Sequence, residues 1–231
     1  MNVAGVIISF AFVFAVIGVA QALLRSGRLS ASATRKVVHI GVAHWWLLAM
    51  YFFDRWEFAI IGPVAFVAIN LASYLLRLFP AMEHEERSKN LGTIYFPIAL
   101  TATVLLTWAG PVATWIGGVG ILVLGYGDGM AAVIGERSKR WRFPIMGTMK
   151  SAAGTATMFM FSAVVAAAFL IVFADPSTLI AAGAIPSVSI ALTAIVIAAV
   201  ATVVEVLTPF GLDNLTVPIA TTLLLHWITI S

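Results

Sequence analysis

The sequence has no cysteine and few charged side chains. Disulfides and thiolate metal ligands are therefore excluded. Charged residues make up only 10% of the 231 positions, whereas a soluble globular domain carries roughly 25%. No hydrophilic block is long enough to form a second domain, so we expect residues 1–231 to form a single integral membrane domain. The formal net charge of +3 gives no indication of a nucleic-acid partner.

Hydrophobic residues make up 61% of the chain and are grouped in long runs. Since a membrane-spanning helix needs about 20 mostly apolar residues, the runs predict an all-α, polytopic transmembrane bundle of about eight helices. The first run is predicted to be a retained helix rather than a signal peptide, because no basic segment precedes it. Without a recognisable transit segment, we expect a prokaryotic plasma membrane. The predicted spans are 2–24, 37–53, 58–78, 93–109, 112–135, 151–173, 187–207 and 216–230.

Lysine and arginine are concentrated in alternate connections between these runs. Twelve of the thirteen fall on one side of an eight-helix arrangement, and only Arg55 falls on the other. The positive-inside rule predicts that the basic side faces the cytoplasm and that both termini are non-cytoplasmic. The basic side carries Arg25, Arg28, Arg35 and Lys36, then Arg77, Arg87 and Lys89, then Arg137, Lys139, Arg140, Arg142 and Lys150.

Asp128 lies in the fifth apolar run, within the glycine-rich stretch 125–129. A charged side chain at the bilayer centre costs roughly 2.5 kcal/mol or more, so we expect this carboxylate to face the bundle or a polar cavity. The glycines remove side-chain bulk and allow a ligand or another helix to approach. The alternative is tight packing of small residues, with Asp128 reaching the interface, but packing alone does not require an acid.

Two more acids flank the last connection. Glu205 lies near the end of the seventh run, and Asp213 lies in the loop that follows. A helix cap is an alternative role for Asp213 or Asn214, but it does not account for Glu205. Together with Asp128, these residues predict three carboxylates at one membrane depth. Hard oxygen ligands of this kind suit Mg²⁺ bound to nucleotide phosphates.

Lys150 and Ser151 lie where a basic loop meets the predicted start of the sixth helix. A helix N-terminus presents unpaired N–H groups and a partial positive charge, which favour phosphate binding. Lys150 adds a cation and Ser151 adds a hydroxyl at that point. The alternative is a loop that sets topology and contacts anionic lipid headgroups.

A second group of basic residues opens the predicted second helix. Spacings of three and four place His39 on one helix face with Lys36 or Arg35. This pair of cations could hold phosphate, and His39 could carry a proton. The alternative is an ordinary positive-inside anchor beside a histidine that faces the bundle.

Four short motifs follow one another between about residues 35 and 218, which we take as the catalytic region. Each is modest alone, and each lies near the predicted cytoplasmic face. They are Arg35-Lys36-x-x-His39, Gly127-Asp128-x-x-Ala131-Ala132-x-x-Gly135, Lys150-Ser151-x-x-Gly154-Thr155, and Glu205 followed by Asp213-Asn214-Leu215-x-x-Pro218.

In this order the motifs resemble those of the CTP-dependent polyisoprenoid kinases, a family that includes dolichol kinase and phytol kinase. The resemblance implies a membrane lipid kinase with CTP as phosphate donor, a membrane-embedded isoprenoid alcohol as acceptor and Mg²⁺ as cofactor. We predict that Asp128 and Asp213 bind the metal, that Glu205 is a ligand or a base, and that His39 or Asp128 accepts the alcohol proton. The predicted nucleotide and phosphate contacts are Arg35, Lys36, Lys139, Lys150, Ser151, Gly154, Thr155 and Asn214.

Three other functions are alternatives. The family is related to CTP-dependent diacylglycerol kinases and to phosphatidate cytidylyltransferases, so diacylglycerol phosphorylation or CDP-lipid synthesis is the enzymatic alternative. However, the His-Gly-Gly and Asp-Arg-x-Asp elements of the cytidylyltransferases are absent. A secondary transporter could use Asp128 and Glu205 as an ion relay. The sequence leaves the particular lipid alcohol and the oligomeric state open.

Overall fold

The computed structural model describes residues 1–76, 91–138, 140–174 and 186–230. Regular structure in these ranges is helical apart from one short hairpin, and the helices form eight passages through one bundle. Six of the passages are long and apolar enough to cross a membrane. The predicted all-α, polytopic membrane bundle is thereby confirmed. The number of crossings, the side on which the termini lie and the extent of a single domain stay predictions.

The eight passages are built from eleven α-helices within the described ranges. One π-helical turn, Leu105–Ala109, extends the fourth passage, and a second, Leu124–Asp128, lies inside the fifth. The helices are α1 (Asn2–Arg25), α2 (Ala31–Ala43), α3 (Trp45–Phe52), α4 (Trp56–Ala59), α5 (Ile61–Leu76), α6 (Gly92–Val104), α7 (Thr114–Val123), α8 (Gly129–Arg137), α9 (Ala152–Phe173), α10 (Pro186–Leu207) and α11 (Asp213–Ile230).

Residues 142–151 form a β-hairpin, whereas the sequence predicts only a basic loop there. Strands β1 (Arg142–Ile145) and β2 (Thr148–Ser151) pair in antiparallel fashion. Met146 and Gly147 join them with φ angles of 44° and 75°, as a tight hairpin turn of the I′ type requires. Pro144 lies within β1, and a proline argues against a strand in sequence analysis. The hairpin leads directly into α9, so it sets where that helix begins.

Polar contacts mark two opposite ends of the bundle. At one end, the Asn2 side chain is hydrogen-bonded to Asp54, and the Trp108 indole donates to the Phe53 carbonyl oxygen over 2.9 Å. At the other end, the α1–α2 connection meets the end of α8. Since α1 has 24 residues, these ends are about 36 Å apart, which slightly exceeds the hydrocarbon core of a bilayer. Apart from Arg55, the described basic residues belong to the second end.

Glycines around Asp128 allow neighbouring helices to pack closely against the fifth passage. A Cβ atom on Gly125 would lie 2.5 Å from the Ala43 Cβ atom of α2, and one on Gly127 would lie 2.5 Å from the Met158 sulfur of α9. Residues two apart on a helix point in different directions. The helices α2 and α9 therefore pack on different sides of the fifth passage, and Asp128 lies between them. The sequence predicts that the glycines let either a ligand or another helix come close to Asp128. The structure shows that helices do so.

Candidate active site

Three carboxylates from distant parts of the chain meet at the basic end of the bundle. Asp128 ends the π-helical turn, Glu205 lies near the end of α10, and Asp213 is the first residue of α11. One carboxylate oxygen from each lies within 4.8 Å of the other two. Glu205 and Asp213 are buried and Asp128 is partly buried. The structure thus brings together the three acids predicted to share a site.

Two lysines neutralise part of this negative charge. Lys36 Nζ lies 3.4 Å from Asp128 Oδ2. Lys150 forms an ion pair with Glu205 and also donates to the Glu205 carbonyl oxygen over 3.2 Å. Among the described residues, no ion pair involves Asp213. If all three acids are ionised, three negative charges face two positive ones, so the cluster has one charge that a cation could neutralise.

His39 reaches the cluster from α2. Its Nε2 lies 3.8 Å from Asp128 Oδ2, and its ring packs against Phe96 with 4.8 Å between ring centroids. Nε2 is buried and has no hydrogen-bond partner within the described ranges. Buried polar atoms are seldom left in this state. Arg35, predicted to act with Lys36, lies near enough to Glu136 for their charges to attract.

Asn214 holds Asp213 in position. Both the backbone N–H and the side-chain Nδ2 of Asn214 donate to Asp213 Oδ1, over 3.0 and 3.1 Å. Nδ2 also donates to the Gly211 carbonyl oxygen over 3.0 Å. Gly211 has a φ angle of 78°, and a Cβ atom there would lie 2.8 Å from the Gly92 backbone. Both side-chain donors of Asn214 are thus engaged in shaping this loop.

A pocket of about 310 Å³ opens beside the acids, between α8, α9 and the hairpin. This volume is at the lower end of the range for small-molecule sites, roughly 300–1,000 Å³. Thr155 lines the pocket, and its buried hydroxyl has no hydrogen-bond partner among the described residues. Polar side chains in the lining include Asp128, Glu205, Lys150, Ser151, Thr155 and Glu136.

Ser151 and Gly154 shape the pocket floor where α9 begins. The Ser151 hydroxyl caps the helix by accepting from the Gly154 N–H over 3.1 Å. A Cβ atom on Gly154 would lie 3.1 Å from the Ala131 carbonyl oxygen and 3.4 Å from the Gly135 Cα. The glycine therefore lets α8 and α9 cross closely. Lys139, another predicted phosphate contact, lies outside the described residues.

Two features near the site are not predicted from the sequence: two further pocket residues and a histidine–tyrosine contact. Glu136 and Arg142 both line the pocket, and the Arg142 guanidinium donates to the Ser138 carbonyl oxygen over 2.9 Å, which closes the loop before the hairpin. His44 pairs with Tyr126 beneath the acids. A signal existed for Glu136, since it directly follows the glycine that ends the second motif. The partner of His44 had no such signal, because 82 residues separate the two in sequence.

Buried acids paired with lysines beside a pocket, at one end of an apolar bundle, are typical of an integral membrane enzyme. A purely structural protein would not need them. Phytol kinase from Synechocystis sp. is 32% identical to this chain over 223 residues, which cover 91% of the chain and 85% of that protein. The chain belongs to the polyprenol and phytol kinase family and is therefore a membrane kinase, which confirms the family predicted from the four motifs. No family model matches the chain, and no solved structure matches it.

Proposed function

We propose that this kinase transfers the γ-phosphate of CTP to a long-chain isoprenoid alcohol at the cytoplasmic face of a prokaryotic plasma membrane. One observation carries the proposal: Asp128, Glu205 and Asp213 converge between two lysines beside a pocket. The related protein from Synechocystis sp. is a phytol kinase, which supports an acceptor alcohol of the prenol, polyprenol or phytol type. The gathering of basic residues at the end that carries the pocket supports the cytoplasmic orientation.

The acid cluster fits Mg²⁺ as cofactor. Its three carboxylates supply hard oxygen ligands, and the excess of one negative charge favours a bound cation. Asp128, Glu205 and Asp213 would hold the ion, with Asn214 orienting Asp213. When bound, Mg²⁺ neutralises charge on the phosphates during phosphoryl transfer.

The basic and hydroxyl groups of the pocket would bind the phosphates. Lys150 supplies a positive charge, and Thr155 adds a polar residue to the lining. The Ser151 Oγ atom lies 3.5 Å from the Gly135 carbonyl oxygen, to which it donates only a long hydrogen bond, so the hydroxyl could donate to a phosphate instead. Phosphoryl transfer depends mainly on such positioning and on charge neutralisation.

The acceptor approaches Asp128 from the α2 side in this proposal, opposite the pocket. The alcohol oxygen forms a bond to the γ-phosphorus, the bond from that phosphorus to the bridging oxygen breaks, and CDP leaves. The proton of the alcohol passes to His39 Nε2, which is buried, unpartnered among the described residues and close to Asp128. The isoprenoid tail remains in the hydrocarbon, where it is most soluble.

The deciding experiment follows a radioactive label from the nucleotide into lipid. Purified protein in lipid nanodiscs receives CTP labelled either at the γ-phosphate or in the cytidine, together with phytol, geranylgeraniol, dolichol, undecaprenol or diacylglycerol. We expect γ-label in an isoprenoid phosphate, Mg²⁺ dependence, and loss of labelling in Asp128→Asn. ATP in place of CTP tests the donor.

Other outcomes would point to the alternatives. Cytidine label in lipid would identify a nucleotidyl transferase, and labelling of diacylglycerol alone would identify a diacylglycerol kinase. Lipid or ion flux in proteoliposomes without nucleotide consumption would identify a transporter. Each of these results would overturn the proposal.

A further inference from the structure

The pocket lining holds a fourth carboxylate, which the proposed phosphate chemistry does not use. Glu136 lines it from α8, eight residues after Asp128. Eight helical residues correspond to a rise of about 12 Å. One end of the pocket thus holds the acid cluster and Lys150, and the other end holds Glu136 together with Arg142.

The Glu136 carboxylate is held in place without being saturated. The Ser32 hydroxyl lies 2.8 Å from Oε1 and 3.0 Å from Oε2. A hydroxyl has one proton to donate, whereas an ionised carboxylate has about four acceptor positions. The Arg142 guanidinium donates to the backbone carbonyl of Glu136 over 3.2 Å rather than to the carboxylate. Arg35 attracts the carboxylate electrostatically, but among the described residues only Ser32 is hydrogen-bonded to it. Ser32 therefore orients an acid that can still accept hydrogen bonds from a ligand.

This arrangement predicts which part of a nucleotide lies against Glu136. The proposed function puts the metal ion and the phosphates at the end with the acid cluster and Lys150, so we expect the nucleobase at the Glu136 end. Carboxylates accept hydrogen bonds from the exocyclic N4 amino group of cytosine. Uracil carries a carbonyl oxygen at the same position, which the carboxylate repels.

We propose that Glu136 is a specificity-determining residue that selects cytosine over uracil in the donor nucleotide, with Ser32 as its positioning residue. This inference rests on the proposed function, because it takes a cytidine nucleotide as the donor. It assigns to Glu136 and Ser32 a task that neither the acid cluster nor the lysines perform.

The test compares kcat/KM for CTP and UTP in the same lipid phosphorylation assay. We expect wild type to prefer CTP by at least about tenfold. Glu136→Gln should reduce that preference by about tenfold or more, because its amide can donate to the uracil carbonyl. Glu136→Asp, which keeps the charge but shortens the side chain, and Ser32→Ala should give intermediate ratios. Glu57→Gln, which changes an exposed acid paired with Arg55 at the other end of the bundle, should leave the ratio unchanged.

Two results would overturn the inference alone. One is equal use of CTP and UTP by wild type. The other is an equal loss of activity with both nucleotides in Glu136→Gln and Glu136→Asp, which would mean that the Glu136–Ser32 contact only joins α8 to α2. A wild-type protein with no CTP-dependent phosphorylation would instead overturn the proposed function, and this inference with it.

Discussion

The Tyr126 hydroxyl oxygen lies 2.9 Å from His44 Nε2, and His44 Nδ1 lies 2.8 Å from the Ile40 carbonyl oxygen. A carbonyl oxygen can only accept, so the proton is on Nδ1, and Nε2 accepts from the tyrosine. Tyr126 belongs to the π-helical turn that ends at Asp128, whereas His44 joins α2 to α3. This hydrogen bond therefore fixes the turn that carries the acid against the helix that carries Lys36.

Tyr126→Phe should lower both stability and activity. The substitution removes the only donor to His44 Nε2 among the described residues, and losing a hydrogen bond to this partly buried acceptor should cost about 1 kcal/mol. Activity should fall because Asp128 is less well fixed relative to Lys36. Thermal unfolding in detergent and the kinase rate check the two effects. Tyr51→Phe is the matched control, since Tyr51 is 71% exposed. Unchanged unfolding of Tyr126→Phe would contradict the prediction.

Asp213→Asn should separate stability from activity. In the absence of divalent metal, removing one of three mutually repelling carboxylates should raise the unfolding temperature. If Asp213 is a metal ligand, activity should fall by about 100-fold or more, and Mn²⁺ binding measured by electron paramagnetic resonance should weaken. Asp54→Asn, at the other end of the bundle, should keep full activity. An Asp213→Asn variant with nearly wild-type activity would exclude Asp213 as a ligand.

Lys150 and Glu205 should show strong coupling in a double-mutant cycle. Lys150→Met leaves the Glu205 carboxylate buried without its partner, which typically costs roughly 3–5 kcal/mol. Adding Glu205→Gln removes the isolated charge, so Lys150→Met/Glu205→Gln should recover most of that stability. Activity should not recover if, as proposed, both groups belong to the catalytic site. Additive stability effects of the two single variants would show that the ion pair is unimportant.

Gly125→Ala should displace α2 from the fifth passage. Its new Cβ atom would meet the Ala43 Cβ atom at 2.5 Å, and such overpacking costs about 1–3 kcal/mol. The shift would move Lys36 and His39 away from Asp128 and so reduce the kinase rate. The compensating change Ala43→Gly restores the space, so the double variant should regain activity.

Gly18→Ala is the control for this packing prediction, because a Cβ atom on Gly18 would meet nothing within 4 Å. It should leave stability and activity close to those of wild type. Failure of Ala43→Gly to rescue Gly125→Ala would show that contact with Ala43 does not explain the loss.

Much of the fold and of the acid cluster could be predicted from the sequence. Long apolar runs give helices, and in a hydrophobic chain an acid such as Asp128 needs partners. The structure supplies Lys36 and Lys150 as those partners. The meeting of Glu205 with Asp213 also follows from sequence, since only seven residues separate them.

The remaining features depend on tertiary contacts. The π-helical turn at Leu124–Asp128 inserts an extra residue per turn, which apolar periodicity does not reveal. The hairpin contains Pro144 and too few residues for an alternating pattern to stand out. The pairing of Tyr126 with His44 and of Ser32 with Glu136 joins helices far apart in sequence. Such contacts are set by which faces of the helices meet.

Because the acid cluster, both lysines and the pocket all lie at one end of the bundle, the reaction should draw on a single aqueous compartment. In sealed vesicles with uniformly oriented protein, a nucleotide that cannot cross the bilayer should support catalysis from one side only. The nucleotide product would be released to that same side. Phosphorylation would also give the lipid a charged headgroup in that leaflet, where spontaneous flip-flop is slow, so the enzyme would create transverse lipid asymmetry without moving any substrate across the membrane.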